Sequence, residues 1–429
     1  MEGRVKMAIG ISLAAVVIAT APIPAANWAI AHEAAGHWDN ALDLYLRLPE
    51  SRRASIPDLA SRIHRCLRYS AQFQRHRDPA FQNYVLSLSL ADGLAVYSDV
   101  IEKLGRLYAD ADRVSPARLF LLGRDELAQA LLNPQFVAKH LNGVDANRIQ
   151  SVRTWLINFQ IHPTANHREA RTAVRDVAVG IRDAIPSANP SAIILEFLCG
   201  ACGGLDEHTA YHPPGTLPKP TPGLTVVNAA MIDERFGVGY LRVTEFQETT
   251  ASEFDAAIGL LRMRGVRAVI VDLRGNPGGL LTAGVEIARR FIPVGVIVRT
   301  SGQSPDFAGR VFESESGMAA LDLPLVLLVD AGTMSAAEVV AAAVKDNARG
   351  TLVGVQTYGK GTVQVPLKTP EGKTSKSTGV LVLTVARTTS PNGRPVSGGV
   401  VPDIIERDPE LQLKAATAQA TAMVSMGRP

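Results

Sequence analysis

Ser335, Lys360 and Gln364 are the residues whose types and spacing could do chemistry together, with the lysine 25 positions after the serine and the glutamine four further on. Before the serine come Leu325-Val326-Leu327-Leu328-Val329, an apolar run of strand length, and the turn Gly332-Thr333-Met334. After it, an Ala/Val-rich stretch reads as a helix. First-turn amides of a helix point outward and its dipole favours negative charge, so an oxyanion formed beside Ser335 would be stabilised. A serine hydroxyl attacks a carbonyl only if a base takes its proton, and a neutral lysine can be that base. Burial among apolar neighbours lowers a lysine pKa by up to ~3–5 units. The glycines of Tyr358-Gly359-Lys360-Gly361 let this lysine be pressed against another element. If Lys360 and Gln364 share a strand, they face the same side, and the glutamine could hold the amine in line.

Each residue also has a plainer role open to it. Ser335 and Glu338 have the S-x-x-E spacing of a capping box. Thr333 could cap instead and leave the Ser335 hydroxyl free. Lys360 could be a solvated hairpin lysine, and Gln364 an ordinary strand residue. Upstream, the apolar run 268–273 leads into Arg274-Gly275-Asn276-Pro277-Gly278-Gly279 and a helix from Leu280. This loop lacks the G-x-x-x-x-G-K-[ST] of a P-loop and the G-x-G-x-x-G of a dinucleotide site. Its backbone N–H groups read better as oxyanion donors, each worth ~2.7–4 kcal/mol.

Jointly, MSAAEVVAAAVKD and YGKGTVQ resemble, almost residue by residue in type, the SASEIVAGALQD and FGKG-[ST]-VQ motifs of the C-terminal processing (tail-specific) serine proteases, Ser-Lys dyad peptidases of the S41 type. DLRGNPGG resembles that family's DLRxNPGG, and LDEHTAY, ARTTSPNGR and GVVPDI resemble its LDPHSxY, ARYYTPSGR and GIxPDI. The similarity covers roughly 205–404. It implies Ser335 as nucleophile, Lys360 as general base, Gln364 as the residue orienting the lysine, and an oxyanion hole from Gly278 or Gly279 with Ala336. No cofactor and no metal are implied, and His208 is expected to be structural. The implied fold is α/β, with a crotonase-like (ClpP/crotonase-type) βαβ core behind an N-terminal all-helical domain. The family carries a PDZ domain after LDPHSxY. Here only 24 residues, many of them Pro and Gly, separate Tyr211 from Phe236, so that domain is expected to be missing.

The elements that must position these residues are partly legible. A strand at 239–243, a helix at 251–264 with Leu260, Leu261 and Met263 on its apolar side, and a strand at 268–273 give a βαβ order, hence a partly parallel sheet with helices packed on it. A hairpin tip over 369–377 precedes a strand at 380–385, and 411–429 reads as a short tail. Toward the N-terminus, helices are expected over 57–73, 80–108, 116–132, 146–159 and 167–185, punctuated by Pro79, Pro116, Pro134, Pro163 and Pro186. Residues 34–46 look like half of a tetratricopeptide-type pair, without a second copy. The expected plan is a signal peptide or signal anchor (1–26), a helical accessory domain (27–200), the peptidase core (205–410) and the tail (411–429).

Composition bounds the rest. With 46% hydrophobic and 20% charged residues, the 429-residue chain is of globular type with room for two or three domains. A net charge of +3 gives no case for a nucleic-acid partner. Arg4 and Lys6 precede an uncharged run over 7–31, the form of an export signal or a membrane anchor, so the bulk is expected in the cell envelope, periplasmic or membrane-anchored. Cys199-x-x-Cys202 and His208-x-x-x-His212 raise zinc, but five residues between the pairs are far fewer than the ~12 of a zinc finger. A turn carrying two cysteines of open redox state is the preferred reading. The scattered histidines of the helical region form no ligand cluster.

The expected function is a serine endopeptidase acting on protein or peptide substrates, with the helical domain as the candidate surface for self-association. A non-catalytic peptide-binding or scaffold protein on the same fold is the alternative. An acyl-CoA enzyme of the crotonase kind is a third reading, and it would not need the Ser-Lys spacing.

Overall fold

The computed structural model describes residues 25–53, 56–217, 227–314, 321–370 and 379–427. It divides into two units, Met1–Gln74 and Arg75–Pro429. The expected leader lies outside the described residues except for Ala25 and Ala26. In the first unit, α1 (Ala25–Ala34), α2 (Trp38–Leu46), α3 (Glu50–Arg53) and the bulk of α4 (Leu59–Arg77) enclose a small core of Ala29, Trp38, Ala41, Tyr45 and Cys66.

The second unit begins with α5 (Pro79–Ser87), α6 (Leu90–Leu107), α7 (Pro116–Ala130), α8 (Pro134–His140), α9 (Ala146–Asn158), α10 (His167–Ala184) and α11 (Pro190–Gly203). The stretch expected as one helix over 80–108 is two, because Ser89 caps a new start by accepting from the Asp92 amide. The expected turn at Cys199-x-x-Cys202 is instead the buried last part of α11. Its glycines serve close packing: a Cβ on Gly200 would lie 2.5 Å from Glu126 Cβ, and one on Gly123 would lie 2.7 Å from Phe197 Cα, so α7 and α11 touch backbone to backbone. Both cysteines are free, buried thiols, and burial pushes the Cys199 thiol up to about 12.

Two sheets follow. β1 (Ala210–His212), β5 (Val296–Ser301), β6 (Val311–Glu313), β9 (Thr362–Thr369) and β10 (Gly379–Thr389) form an antiparallel sheet in which β10 pairs with β1, β5 and β9. Most of the expected hairpin tip lies outside the described residues. The helices from α5 to α11 share one core with Leu381, Leu383 and Val385 of β10. The region expected as a single helical domain over 27–200 is thus divided at 74/75, and its larger part is built onto this sheet.

The second sheet has the order β11-β8-β7-β4-β3-β2, with β2 (Val227–Asp233), β3 (Val238–Val243), β4 (Ala268–Asp272), β7 (Leu325–Val329), β8 (Thr351–Gly354) and β11 (Ile404–Ile405). Only β2 runs antiparallel to its neighbour. Strand alternation sends Val269, Val271, Leu325 and Leu327 to one face and Ala268, Ile270, Val326 and Leu328 to the other. Both faces are covered, which is why these strands are apolar throughout. On the first face lie α12 (Thr250–Met263), α13 (Leu281–Arg289) and α14 (Ala336–Asp346). The buried stripe of α12 is Phe254, Ala257, Ile258 and Leu261, a true i, i+3, i+4, i+7 set; Leu260 and Met263, expected beside Leu261, are 58% and 78% exposed. On the second face lies α15 (Pro409–Ser425), a packed helix where a tail was expected. Its buried apolar residues are Ala416, Ala420 and Val424, with Leu413 and Met423 packed partly buried beside them, a pattern with too few large buried side chains to announce a face in the sequence.

Candidate active site

β7 ends in Asp330, and the turn that follows is fastened before it reaches Ser335. Thr333 Oγ1 donates to the Leu273 carbonyl at 2.9 Å and accepts from the Asp330 amide at 3.0 Å. Thr333 is therefore a clamp between the ends of β7 and β4, and not the helix cap. Ser335 itself is the N-cap of α14 and has φ 54° and ψ −119°, a conformation that favours glycine. It pairs with Glu338 as a capping box does, and the carboxylate arm is tight: the Ser335 amide donates to Glu338 Oε2 at 2.9 Å. The Glu338 amide is met by the Ser335 carbonyl at 2.9 Å, and the serine hydroxyl makes no full cap hydrogen bond.

Glu338 is the residue whose reach the sequence did not disclose. Fully buried, it also accepts from Thr357 Oγ1 at 2.5 Å and from the Gly359 amide at 2.6 Å, both at Oε1, and from the Lys360 amide at 2.7 Å at Oε2. One carboxylate oxygen thus bonds the backbone of Ser335 and of Lys360. S-x-x-E spacing was the only signal, and it spoke for a cap alone. The lysine loop is pressed down as its glycines suggested. A Cβ on Gly361 would lie 2.4 Å from Ser397 N, and one on Gly359 2.8 Å from Ser397 O.

Lys360 is half-buried and precedes β9, so strand parity does not relate it to Gln364. Burial pushes its ammonium below the ordinary lysine range, against the charges of Glu207, Asp206 and Glu338, which favour protonation. The segment 206–209 is tied to the same sheet. Asp206 accepts from the His208 and Thr209 amides at 2.7 Å each, and Thr209 Oγ1 accepts from the Thr384 amide at 3.2 Å. Gln364 Nε2 donates to Thr362 Oγ1 at 2.9 Å and Thr384 Oγ1 at 3.2 Å, which directs its carbonyl oxygen away from those two hydroxyls. His208 pairs with Glu207 at 3.3 Å, and burial, then the Lys360 charge, pushes its pKa down. Among the described residues, no hydrogen bond joins Lys360 Nζ to Ser335 Oγ or to Gln364; such contacts are often long in unliganded sites.

The loop after β4 meets the serine from the other side. A Cβ on Gly278 would lie 2.7 Å from Ser335 Cβ and 3.1 Å from the Ala336 amide nitrogen. The two candidate glycine donors differ. The Gly278 amide is spent on Asn276 Oδ1 at 2.8 Å, and Asn276 is itself fixed by donating to the Val243 carbonyl at 3.0 Å. Gly279 is exposed, its neighbours Gly278 O and Leu280 N bond Phe246, and among the described residues its own amide has no acceptor. The Ala336 amide, first in α14, has none either. Behind the loop, buried Asp272 accepts from Arg274 Nη2 at 2.7 Å and Tyr240 Oη at 2.8 Å. Arg274 reaches on to Pro409 O and Gln412 Oε1 of α15, both at 3.2 Å.

The domain type follows from these positions and from comparison. Residues 237–405, which hold β3 to β11, α12 to α14 and the Ser335 turn in an α/β arrangement, match the model of peptidase family S41. Among curated proteins, the chain is similar to a carboxyl-terminal-processing protease of Synechocystis sp., 37% identical over 211 residues, covering 48% of this chain and 47% of that one. A carboxy-terminal-processing protease of Bartonella bacilliformis is 35% identical over 177 residues, 40% of this chain and 39% of that one. The chain spans less than half the length of these relatives. Among solved structures, the photosystem II D1 C-terminal processing protease is 28% identical, covering 50% of this chain and 61% of that chain at a TM-score of 0.39.

Proposed function

We propose that the second unit is a serine endopeptidase that cleaves protein or peptide substrates through a Ser335–Lys360 dyad. The observation that carries this reading is the Glu338 carboxylate, which bonds the backbone amides of both residues and so ties the two stretches of chain that bear them to each other. Ser335 Oγ attacks the scissile carbonyl carbon while neutral Lys360 Nζ takes its proton. The carbonyl oxygen becomes an oxyanion held by the Gly279 and Ala336 amides, which leaves Gly278 the task of close approach to the serine. As the tetrahedral adduct collapses, the C–N bond breaks and the lysine proton passes to the leaving amine, giving an acyl-enzyme. A water, deprotonated by Lys360, then releases the acid and restores the serine. Gln364 steadies the lysine amine through its side-chain oxygen.

We further infer export to the cell envelope, from the uncharged run over 7–31 behind Arg4 and Lys6. Among the described residues no single helix is long and apolar enough to cross a membrane. The deciding experiment is proteomics of peptides released by wild-type and Ser335→Ala protein. Cleavage by the wild type alone, with equal thermal stability of the two, is expected. Cleavage that survives in Ser335→Ala would overturn Ser335 as the nucleophile, and no cleavage by either protein would leave a peptide-binding scaffold as the better reading.

A further inference from the structure

A cavity of about 550 Å³ opens on the helical side of the second unit, between α6 and α10, well apart in sequence from the Ser335 turn. Its floor is Tyr97 and Ile101, both buried, and its rim carries Arg106 from α6 and His167, Arg168 and Arg171 from α10. The positive charge is largely uncompensated. Glu102 also lines the cavity and pairs with Arg106 at 3.5 Å, whereas Arg168 and Arg171 have no ion pair among the described residues. Elsewhere on α10, Arg175 and Arg182 each form an ion pair with the next residue, Asp176 and Asp183, whereas Glu169 beside Arg168 accepts from the Asn166 amide instead.

The rim is also shaped. Gly105 admits the His167 ring, which a Cβ there would approach to 3.2 Å. The α10 N-terminal amides are not the attraction, because Asn166 and Glu169 close a capping box over them. What is left is a set of guanidinium groups from two helices over an apolar floor. Arginine's planar donors fit a carboxylate or phosphate with two parallel bonds. A net charge of +3 over the chain and a cavity of this size suit one anionic group with a short apolar flank, rather than a polyanion.

We propose that this cavity binds a carboxylate-bearing peptide segment, at a site separate from the catalytic turn. The proposal rests on the peptidase reading for its class of ligand, since peptides are what such a chain would meet. α6 gives the site a physical link to the catalytic strand. Its opposite side braces β9, with Lys103 Nζ donating to the Lys368 carbonyl at 2.6 Å and to Asp99 at 2.7 Å.

The test uses the full chain with Ser335→Ala, so that binding is read without turnover and its outcome is independent of whether Ser335 cleaves anything. Three labelled peptides of one sequence are compared by fluorescence anisotropy: a C-terminal free acid, an amidated form with one internal Glu, and an amidated form with Gln in its place. At least one carboxylate form should bind ten times more tightly than the neutral one, and which of the two does so identifies the carboxylate as terminal or side-chain. Arg168→Ala with Arg171→Ala should abolish that difference, and Arg175→Ala on the same helix should preserve it. Orthophosphate should compete for the difference. Equal binding of all three peptides, or a carboxylate preference that survives the double substitution in a protein of unchanged melting temperature, would overturn the proposal.

Discussion

Glu196 and Glu338 are both fully buried carboxylates, one in the helical part of the second unit and one beneath the candidate catalytic turn, and they are satisfied in opposite ways. Glu196 meets charge with charge. Arg75 stands at 2.9 Å and His76 at 3.1 Å, and although burial pushes its pKa up, these two bring it down to about 2. Glu338 has no ion pair among the described residues; three amides and a hydroxyl from two separate stretches of chain surround it. A paired charge is cancelled where it sits and ties helices together. A charge held only by N–H and O–H dipoles stays electrically visible, and Lys360 is among the groups that feel it. The first arrangement serves stability, the second serves position and protonation.

Lys360→Arg probes that contrast most severely. The backbone bond to Glu338 survives in this variant, so position is kept and only the capacity to be neutral is lost. Turnover should fall by at least about a thousandfold, as low as in Lys360→Ala, on the scale of losing a catalytic residue. Substantial activity in the arginine variant would show that the base lies elsewhere.

Glu196→Gln should act on stability alone. Arg75 keeps buried Glu126 at 3.2 Å, so the loss should stay below the roughly 3–5 kcal/mol of a fully broken buried pair, read from urea unfolding. Turnover per folded molecule should stay at the wild-type value. Glu338→Gln should do the reverse in emphasis. Its amide nitrogen would point a donor at donors, costing about 1–3 kcal/mol of stability. The larger change should be in kcat, because the Ser335 and Lys360 backbones lose their common anchor; a fall in melting temperature with kcat unaltered would reduce Glu338 to a helix cap.

The smallest effect is a shift in pH. Lys360 must be neutral to accept the serine proton, so the rate should rise with pH through its lowered pKa. Glu207 is the foremost group opposing that lowering. Glu207→Gln should therefore move the ascending limb to lower pH, by a small step because the charge is exposed and screened. A limb that moves upward, or one that tracks His208→Ala instead, would contradict the electrostatics described for this pair.

The parts of the molecule that were legible in the sequence are those whose physics is local. β4 and β7 are apolar at every position and of strand length, and α14 follows its turn at once. Ser335, Lys360 and Gln364 could be named as candidates from type, spacing and the family resemblance, and their catalytic roles stand as the proposal above. What was not legible depends on partners far along the chain. The four donors to Glu338 include groups 19, 21 and 22 residues away, so a four-residue spacing showed only a cap. Gly278 and Gly279 were interchangeable until Asn276 took one amide. Gly200 read as a turn because the glycine it approaches, Gly123, lies on another helix. In α15 two of the four buried positions are alanine and one is glutamine, which mark neither a face nor a tail.

The grip of α15 on Arg274 bears on the order in which the chain is made. Synthesis runs from the N-terminus, so Ser335, Glu338 and Lys360 leave the ribosome before residues 409–412 exist. Until then the loop that carries Gly279 has Asp272 on its inner side but lacks the Pro409 and Gln412 oxygens that hold Arg274 from outside. The sheet face later covered by Ala416, Ala420 and Val424 is bare over the same interval. Such a chain can already join the Ser335 and Lys360 backbones through Glu338, while the Gly279 loop still waits for the contacts that α15 gives Arg274.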